Sequence, residues 1–369
     1  MEPIRVLIVE DSMTQRHQLQ KLIQAAPDMT VIAQARDGLE ALQLVEKLRP
    51  DVISMDLRMP NLDGIETTRE IMDRFPTPIV IVSNSLSDSQ MTMQAMQAGA
   101  LTAIEKPPAS DDPEFERHST ELVAVLRLMA GVPVMRRLVS RPLEPALPGT
   151  RTLPRTDPLP ALVVPNQTDL PEIVVIGASA GGPSALAQVL SGFPSNFALP
   201  ILMVQHLSRE FMPGLAEWLD RAGPLPVRIP VQGETVLGGV VYLAPGGSHM
   251  RLSAKGRIML DFEQGSYRHH PAVDVLLESA AAVYGARAVG VILTGMGDDG
   301  AFGLRAMHNA RARTIVQNEA TCVVFGMPAA AIAAGAAEFV LPLDKISSAV
   351  VKLCGGDNKN GTGSSTRRR

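Results

Sequence analysis

The chain has 369 residues, of which 46% are hydrophobic and 20% charged, and a formal net charge of −4. That length and apolar content allow two or three domains with real cores, and the mild acidity argues against nucleic acid as the main partner, since such binders carry a basic stripe. The two cysteines, Cys322 and Cys354, form no disulfide framework and suit a reducing cytoplasm, the expected location. No signal peptide is expected before the apolar run at Ile4, and no run approaches the roughly 18 apolar residues of a membrane span.

From the N-terminus, short apolar runs alternate with helical periodicity. Strands are predicted over Ile4–Val9, Thr30–Ala35, Asp51–Met55, Pro78–Ser83 and Leu101–Glu105. Helices are predicted over Met13–Ala26, Gly38–Leu48, Gly64–Arg74, Ser89–Ala98 and Glu114–Met129. This is a (βα)5 pattern over residues 1–130, with a parallel sheet covered by helices. Prolines then recur from Pro133 to Pro171, so residues 131–171 read as a semi-extended linker.

Residues 172–354 form a second alternating unit, doubly wound and mostly parallel. Its strands are predicted over Glu172–Ile176, Pro200–Gln205, Ala288–Thr294 and Arg313–Gln317. Its helices are predicted over Ser184–Leu190, Glu210–Ala222, Val273–Val283, Gly300–Ala310 and Ala329–Ala334. Between Val227 and Phe262, Gly-Gly and Pro-Gly turns suggest a β-hairpin insertion. Residues 355–369 are rich in Gly, Asn and Ser and end in three arginines; this composition predicts a disordered tail.

In an open parallel sheet the carboxyl ends of the strands share one edge, and sites form there. In the first unit that edge receives Glu10, Asp11, Asp56, Ser83 and Lys106. Three converging carboxylates repel one another unless a cation sits among them, and hard oxygen ligands suit Mg²⁺. Asp56 can then attack a phosphoryl group, with Lys106 steadying the new charge and Ser83 bonding it. Each residue alone is better explained as an ordinary polar loop residue; the five together are not. The stretches Val6 to Ser12, Asp51 to Pro60, Asp63-Gly64, Val82-Ser83 and Lys106-Pro107 resemble the receiver domain of two-component response regulators. The resemblance implies phosphorylation of Asp56 by a partner histidine kinase. Glu10 stands where such domains commonly have aspartate, and Ala103 where they commonly have an aromatic switch residue.

The hexapeptide Gly177-Ala178-Ser179-Ala180-Gly181-Gly182 joins a predicted strand to a predicted helix. Its spacing fits a nucleophile elbow, G-x-S-x-G. A plain tight turn and a phosphate-cradling loop are the rival readings. His206 follows the second strand of this unit, and Asp298 and Asp299 follow the third, so serine, imidazole and carboxylate meet at one predicted edge. A serine hydroxyl is nearly inert until an imidazole takes its proton and a carboxylate orients that imidazole. Of the seven histidines, His17, His118 and His308 fall on helices, His249 follows a turn, and His269 and His270 precede a helix. One of Asp298 and Asp299 is expected to orient His206 and the other to cap a helix. Backbone amides of Met296 and of the Ser179 turn are candidates to bind an oxyanion.

Receiver, linker and Ser/His/Asp unit, in this order, resemble the chemotaxis-type protein-glutamate methylesterases, the CheB family. The resemblance is carried by Ile176 to Ser179 with Gly181-Gly182, Gln205-His206, Ala244-Pro245-Gly246, Pro271 with Val273 to Leu276, Gly290 to Gly297, and Gln317 to Ala320 with Gly326-Met327-Pro328. It implies Ser179 as nucleophile, His206 as base, Asp299 as orienting carboxylate and Met296 as oxyanion support. It also implies demethylation of glutamate esters, and deamidation of glutamines, on chemoreceptor helices. It implies control by phosphorylation, Mg²⁺ in the receiver only, and a monomer without membrane insertion. Ala180 and Asp298 depart from the family, which often has threonine and asparagine there.

Overall fold

The computed structural model describes residues 2–83, 89–132, 134, 170–262, 267 and 269–355. The predicted linker, apart from its ends, and the tail beyond Gly355 lie outside the described residues.

The N-terminal unit runs β1 (Ile4–Val9), α1 (Met13–Gln24), β2 (Met29–Ala35), α2 (Gly38–Leu48), β3 (Val52–Met55), α3 (Gly64–Arg74), β4 (Ile79–Ser83), α4 (Ser89–Ala98), β5 (Thr102–Glu105) and α5 (Phe115–Met129). Its five strands lie in the order β2-β1-β3-β4-β5, every pair parallel. β3 and β4 are buried along their whole length because helices cover both faces, which is why they read as unbroken apolar runs. Local chemistry starts the helices: the Asp63 carboxylate accepts from Ile65 N and Glu66 N, and Asp37 caps α2 through Glu40 N.

The second unit contains β6 (Ile173–Ala178), α6 (Gly182–Ser191), β7 (Ile201–Gln205), α7 (Met212–Ala222), β8 (Val227–Arg228), β9 (Val241–Leu243), β10 (His249–Leu252), β11 (Ile258–Asp261), α8 (Val273–Tyr284), β12 (Ala288–Ile292), α9 (Ala301–Asn309), β13 (Arg313–Gln317), α10 (Met327–Ala333), β14 (Phe339–Leu341) and α11 (Leu343–Leu353). Seven of these strands form one parallel sheet in the order β14-β13-β12-β6-β7-β9-β8. The chain starts at β6 in the middle, builds to one side through β7, then returns to β12 on the other. β6 is therefore the switch point, where the two winding directions leave a crevice beyond the strand ends.

Two features differ from the sequence expectation. Only β10 and β11 make the hairpin; β8 and β9 pair in parallel and extend the main sheet. The Gly238-Gly239 turn mimics a hairpin turn, but Gly239 N donates to Leu199 O at 3.2 Å and brings the chain in alongside β7. The second difference is the closing β14–α11 pair, which was not anticipated. Leu343, Ile346, Val350 and Leu353 of α11 are buried at helical spacing. Among the described residues, no helix is long and apolar enough to cross a membrane.

The two units touch. α4 packs against α7, Gly181 N donates to Leu101 O at 3.0 Å, and the Ser184 hydroxyl donates to Met96 O at 3.3 Å. Ala180 and Val324 of the second unit are buried in one apolar cluster with Leu101 and Ile104 of the first.

Candidate active site

Ser179 is the first residue after β6, at the switch point. Its backbone is fixed from three sides: Ser179 N donates to Thr294 O at 3.0 Å, and Ser179 O accepts from Gly182 N and from Gln205 Nε2, each at 2.8 Å. The turn then passes through Gly181 at φ +72°, a conformation that L side chains rarely adopt, and enters α6. The loop after β12 crosses directly over the serine. A methyl group on Gly295 would lie 2.8 Å from Ser179 Cβ and 2.2 Å from Met327 Sδ. Gly295→Ala is therefore expected to lower kcat/KM by about tenfold or more, by displacing the nucleophile. Steady-state assay beside thermal melting checks this; a fully active variant of unchanged melting temperature would refute the close approach.

His206 follows β7, the neighbour of β6, and His206 N donates to Ala178 O at 3.1 Å. Its Nε2 lies 2.7 Å from Asp299 Oδ2. With that nitrogen donating to the carboxylate, the lone pair resides on Nδ1. Nδ1 is buried and has no hydrogen-bond partner among the described residues, so it is the nitrogen left for a serine proton. The His269 ring stacks on His206 with centroids 4.0 Å apart and planes 16° apart, which restrains its rotation.

Asp299 does more than meet His206. Its Oδ2 also accepts from Val273 N at 2.8 Å, and its Oδ1 from Asp274 N at 2.9 Å. These are the first two amides of α8, whose own N-cap position, Ala272, offers no side-chain cap. The carboxylate thus closes the positive end of α8 from 25 residues away in sequence. Burial pushes the Asp299 carboxyl upward, but the His206 bond and the two amides outweigh it and hold it below the ordinary aspartate value. It stays a carboxylate throughout the neutral range.

The structure brings Ser179, His206 and Asp299 to the ends of three adjacent strands, β6, β7 and the extension of β12, as the sequence suggested. Met296 follows Gly295 in the crossing loop and is half-buried. One expectation fails: neither Asp298 nor Asp299 caps α9 with its side chain. Gly300 occupies that N-cap position, and Asp298 is exposed, contributing only its carbonyl to Ala301 N. Asp299 is fully engaged by His206 and α8, which leaves it unable to cap its own helix. Of the other histidines, His17 and His308 are exposed. His249 is buried, and its Nδ1 accepts from Ala272 N at 3.1 Å, where it sets the entrance to α8.

The first unit assembles its own acidic pocket. Carboxylate oxygens of Glu10, Asp11 and Asp56 lie within 4.8 Å of one another. Lys106 Nζ reaches Glu10 Oε2 at 2.8 Å and Asp56 Oδ2 at 2.9 Å. Burial, and for Glu10 the nearby Asp56, raises both carboxyls despite the lysine. Burial pulls the lysine down, but the two carboxylates win and hold it above its usual value. Three acids around one ammonium leave an excess of negative charge that a hard divalent cation matches. Ser83, fully buried at the end of β4, accepts from Lys106 N through its carbonyl at 3.0 Å. Ala103 is buried within β5.

Comparison with known proteins agrees with both halves. Residues 174–350 match the family model described as CheB methylesterase, and residues 6–113 match the response regulator receiver domain. The chain is 42% identical over 355 residues to protein-glutamate methylesterase/protein-glutamine glutaminase 1 of Syntrophus aciditrophicus, covering 95% of this chain and 99% of that one. It is 40% identical over 348 residues to a protein of the same description, numbered 4, from Myxococcus xanthus, covering 94% of this chain and 96% of that one. The crystal structure of the Thermotoga maritima CheB methylesterase catalytic domain is 41% identical, covers 50% of this chain and 98% of that chain, and superposes with a TM-score of 0.48.

Proposed function

The chain belongs to the CheB methylesterase family, and from that membership we infer that it hydrolyses glutamate methyl esters, and deamidates glutamines, on chemoreceptors under the control of its receiver domain. The observation that carries the chemical assignment is the His206–Asp299 pair, closed at 2.7 Å, with Nδ1 buried and without a hydrogen-bond partner among the described residues.

In this reading the Ser179 hydroxyl attacks the ester carbonyl while His206 Nδ1 takes its proton. The negative oxygen of the tetrahedral intermediate turns toward the backbone amide of Met296, because the Gly295 amide already donates to Val324 O at 3.0 Å. His206 returns the proton to the departing methoxide, and methanol leaves. Water, activated by the same imidazole, then frees the glutamate carboxylate and restores the serine. With a glutamine side chain the leaving group is ammonia and the steps are otherwise the same. Asp299, locked to α8, holds His206 in the required tautomer and stabilises its charge.

Asp56 is the residue we assign to phosphorylation. Glu10, Asp11 and Asp56 would hold Mg²⁺, which supplies charge neutralisation for phosphoryl transfer from a histidine kinase. Ser83 and Lys106 stand at the ends of β4 and β5, and α4 with Leu101 lies between them in sequence. Those intervening elements rest on Gly181 and α7, so a charge change at Asp56 has a short path to the esterase. The test is methanol release from a methylated chemoreceptor by the full chain, with and without Mg²⁺ and a small phosphodonor. Release should rise with the donor, and the rise should vanish in Asp56→Asn. Absence of methanol under both conditions would overturn the assignment.

A further inference from the structure

The carboxylate of Asp274 is not used by the chemistry above, yet it is buried on the residue whose backbone amide donates to Asp299. It lies in the first turn of α8. Its Oδ1 accepts from Gly303 N at 2.7 Å, and it also accepts from Gly300 N. Those amides belong to the opening of α9, which starts at Ala301 and has no side-chain cap of its own. Two helix ends are therefore capped reciprocally. Asp299, on the turn into α9, caps α8, and Asp274, on α8, caps α9. The Gly303 backbone packs so closely on α8 that an added methyl group would lie 2.8 Å from Asp274 O and 2.7 Å from Leu277 Cβ, so the two caps share one rigid contact.

We propose that Asp274 is a positioning residue of the esterase, and that its ionised carboxylate, by holding the 298–303 turn, fixes Asp299 and through it His206. The inference rests on the Ser179/His206/Asp299 reading. Only the charged form of Asp274 makes two charge-assisted bonds to the α9 amides and offsets the positive end of that helix. The groups around it are Asp299 on the turn, Glu278 one helical turn along α8, and the Tyr267 hydroxyl. His206 is reached through Asp299, and His249 of β10 holds Ala272 at the entrance to the same helix. Burial raises the Asp274 carboxyl to about 6, the amides of Gly303 and Gly300 opposing this and the charge of Asp299 adding to it. The folded chain thus holds this proton more tightly than the unfolded chain between about pH 4 and 6, so stability from this group is lost as pH rises through that window. Activity moves the opposite way, because the ionised form holds the triad.

That opposition separates positioning from general structural support. The full chain, saturated with phosphodonor and Mg²⁺, is assayed on methylated receptor from pH 5 to 9, beside Asp274→Asn and Ser179→Ala. On the acid side the unaltered chain should lose kcat/KM more steeply than the asparagine variant, the difference growing toward about tenfold per pH unit below the Asp274 midpoint. At pH 8 the variant should be slower by about tenfold through a looser His206. In the unaltered chain the amide proton of Gly303 reports on the carboxylate it donates to, and its NMR shift should titrate with a midpoint near 6. That reading needs no variant to fold. A flat Gly303 shift between pH 4.5 and 8, or identical acid limbs in the two proteins, overturns the proposal. Retained activity in Ser179→Ala would instead overturn the triad reading beneath it.

Discussion

Ser179→Ala lowers ester hydrolysis by on the order of 10⁵-fold and leaves the fold intact. Both halves of that expectation come from geometry. The residue is held in place by its backbone, through Thr294 O, Gly182 N and the Gln205 amide, and none of these bonds uses the hydroxyl. The crossing loop touches Ser179 at Cβ, an atom that alanine keeps. The substitution therefore opens no cavity larger than one oxygen and orphans no buried partner, and the melting temperature should move by no more than about 2 °C. Receptor binding should persist for the same reason. The reaction has no substitute nucleophile: His206 Nδ1 can activate a water, but the attacking atom is then neither attached to the chain nor aligned with the carbonyl. Turnover within tenfold of the unaltered chain, in a variant that melts normally, would sink the nucleophile assignment. A variant that fails to melt cooperatively would say that the hydroxyl has a structural role which the bonding pattern does not contain.

The residues of this site were legible in the sequence because each follows a strand that announces itself. Ile173–Ile176, Ile201–Val204 and Val289–Ile292 are continuous apolar runs, as strands buried on both faces must be. A polar residue just past such a run has few places to be except the sheet edge. The acidic pocket was legible by the same logic, from Glu10, Asp56 and Lys106. What the sequence concealed depends on contacts between distant segments. Nothing near Asp299 in sequence says that it caps α8, because the amides it accepts belong to Val273 and Asp274. The local rule offered one of the Asp298–Asp299 pair as a cap for the helix that follows, α9, and neither side chain takes that place. The short strands β8 and β9 were concealed because two or three residues carry no period, and their glycine turn looks the same whether the chain doubles back or travels on. The face of α11 was readable at helical spacing but had no catalytic motif to draw attention to it. The contact of Leu101 with Gly181 lies between units that share no pattern, so docking of the receiver on the esterase could be inferred only from chain order.

That docking leads to the second large effect, seen when the receiver is removed. A chain of residues 160–369 should hydrolyse receptor methyl esters at least about tenfold faster than the unphosphorylated full chain. The receiver sits on the turn that carries the nucleophile: Leu101 O takes Gly181 N at 3.0 Å, two residues from Ser179, and Ala180 and Val324 are buried in a cluster shared with the receiver. The expectation is that a receptor helix reaches Ser179 across this turn and displaces these contacts. If the open form is a fraction of the population, the apparent rate falls to that fraction of its full value, and each 1.4 kcal/mol of interface energy is worth about a factor of ten. A single substitution can test the same interface in the full chain. Ser184 sits in the first turn of α6 and donates to Met96 O at 3.3 Å. Ser184→Glu removes the donor and sets a carboxylate against that carbonyl, while a negative charge in the first turn suits α6 itself. The full-length variant should run faster without a phosphodonor, and the same substitution in the receiver-free chain should change little. If the receiver-free chain is no faster than the unphosphorylated full chain, the receiver does not act by covering Ser179, and its control must run through the order of the site rather than access to it.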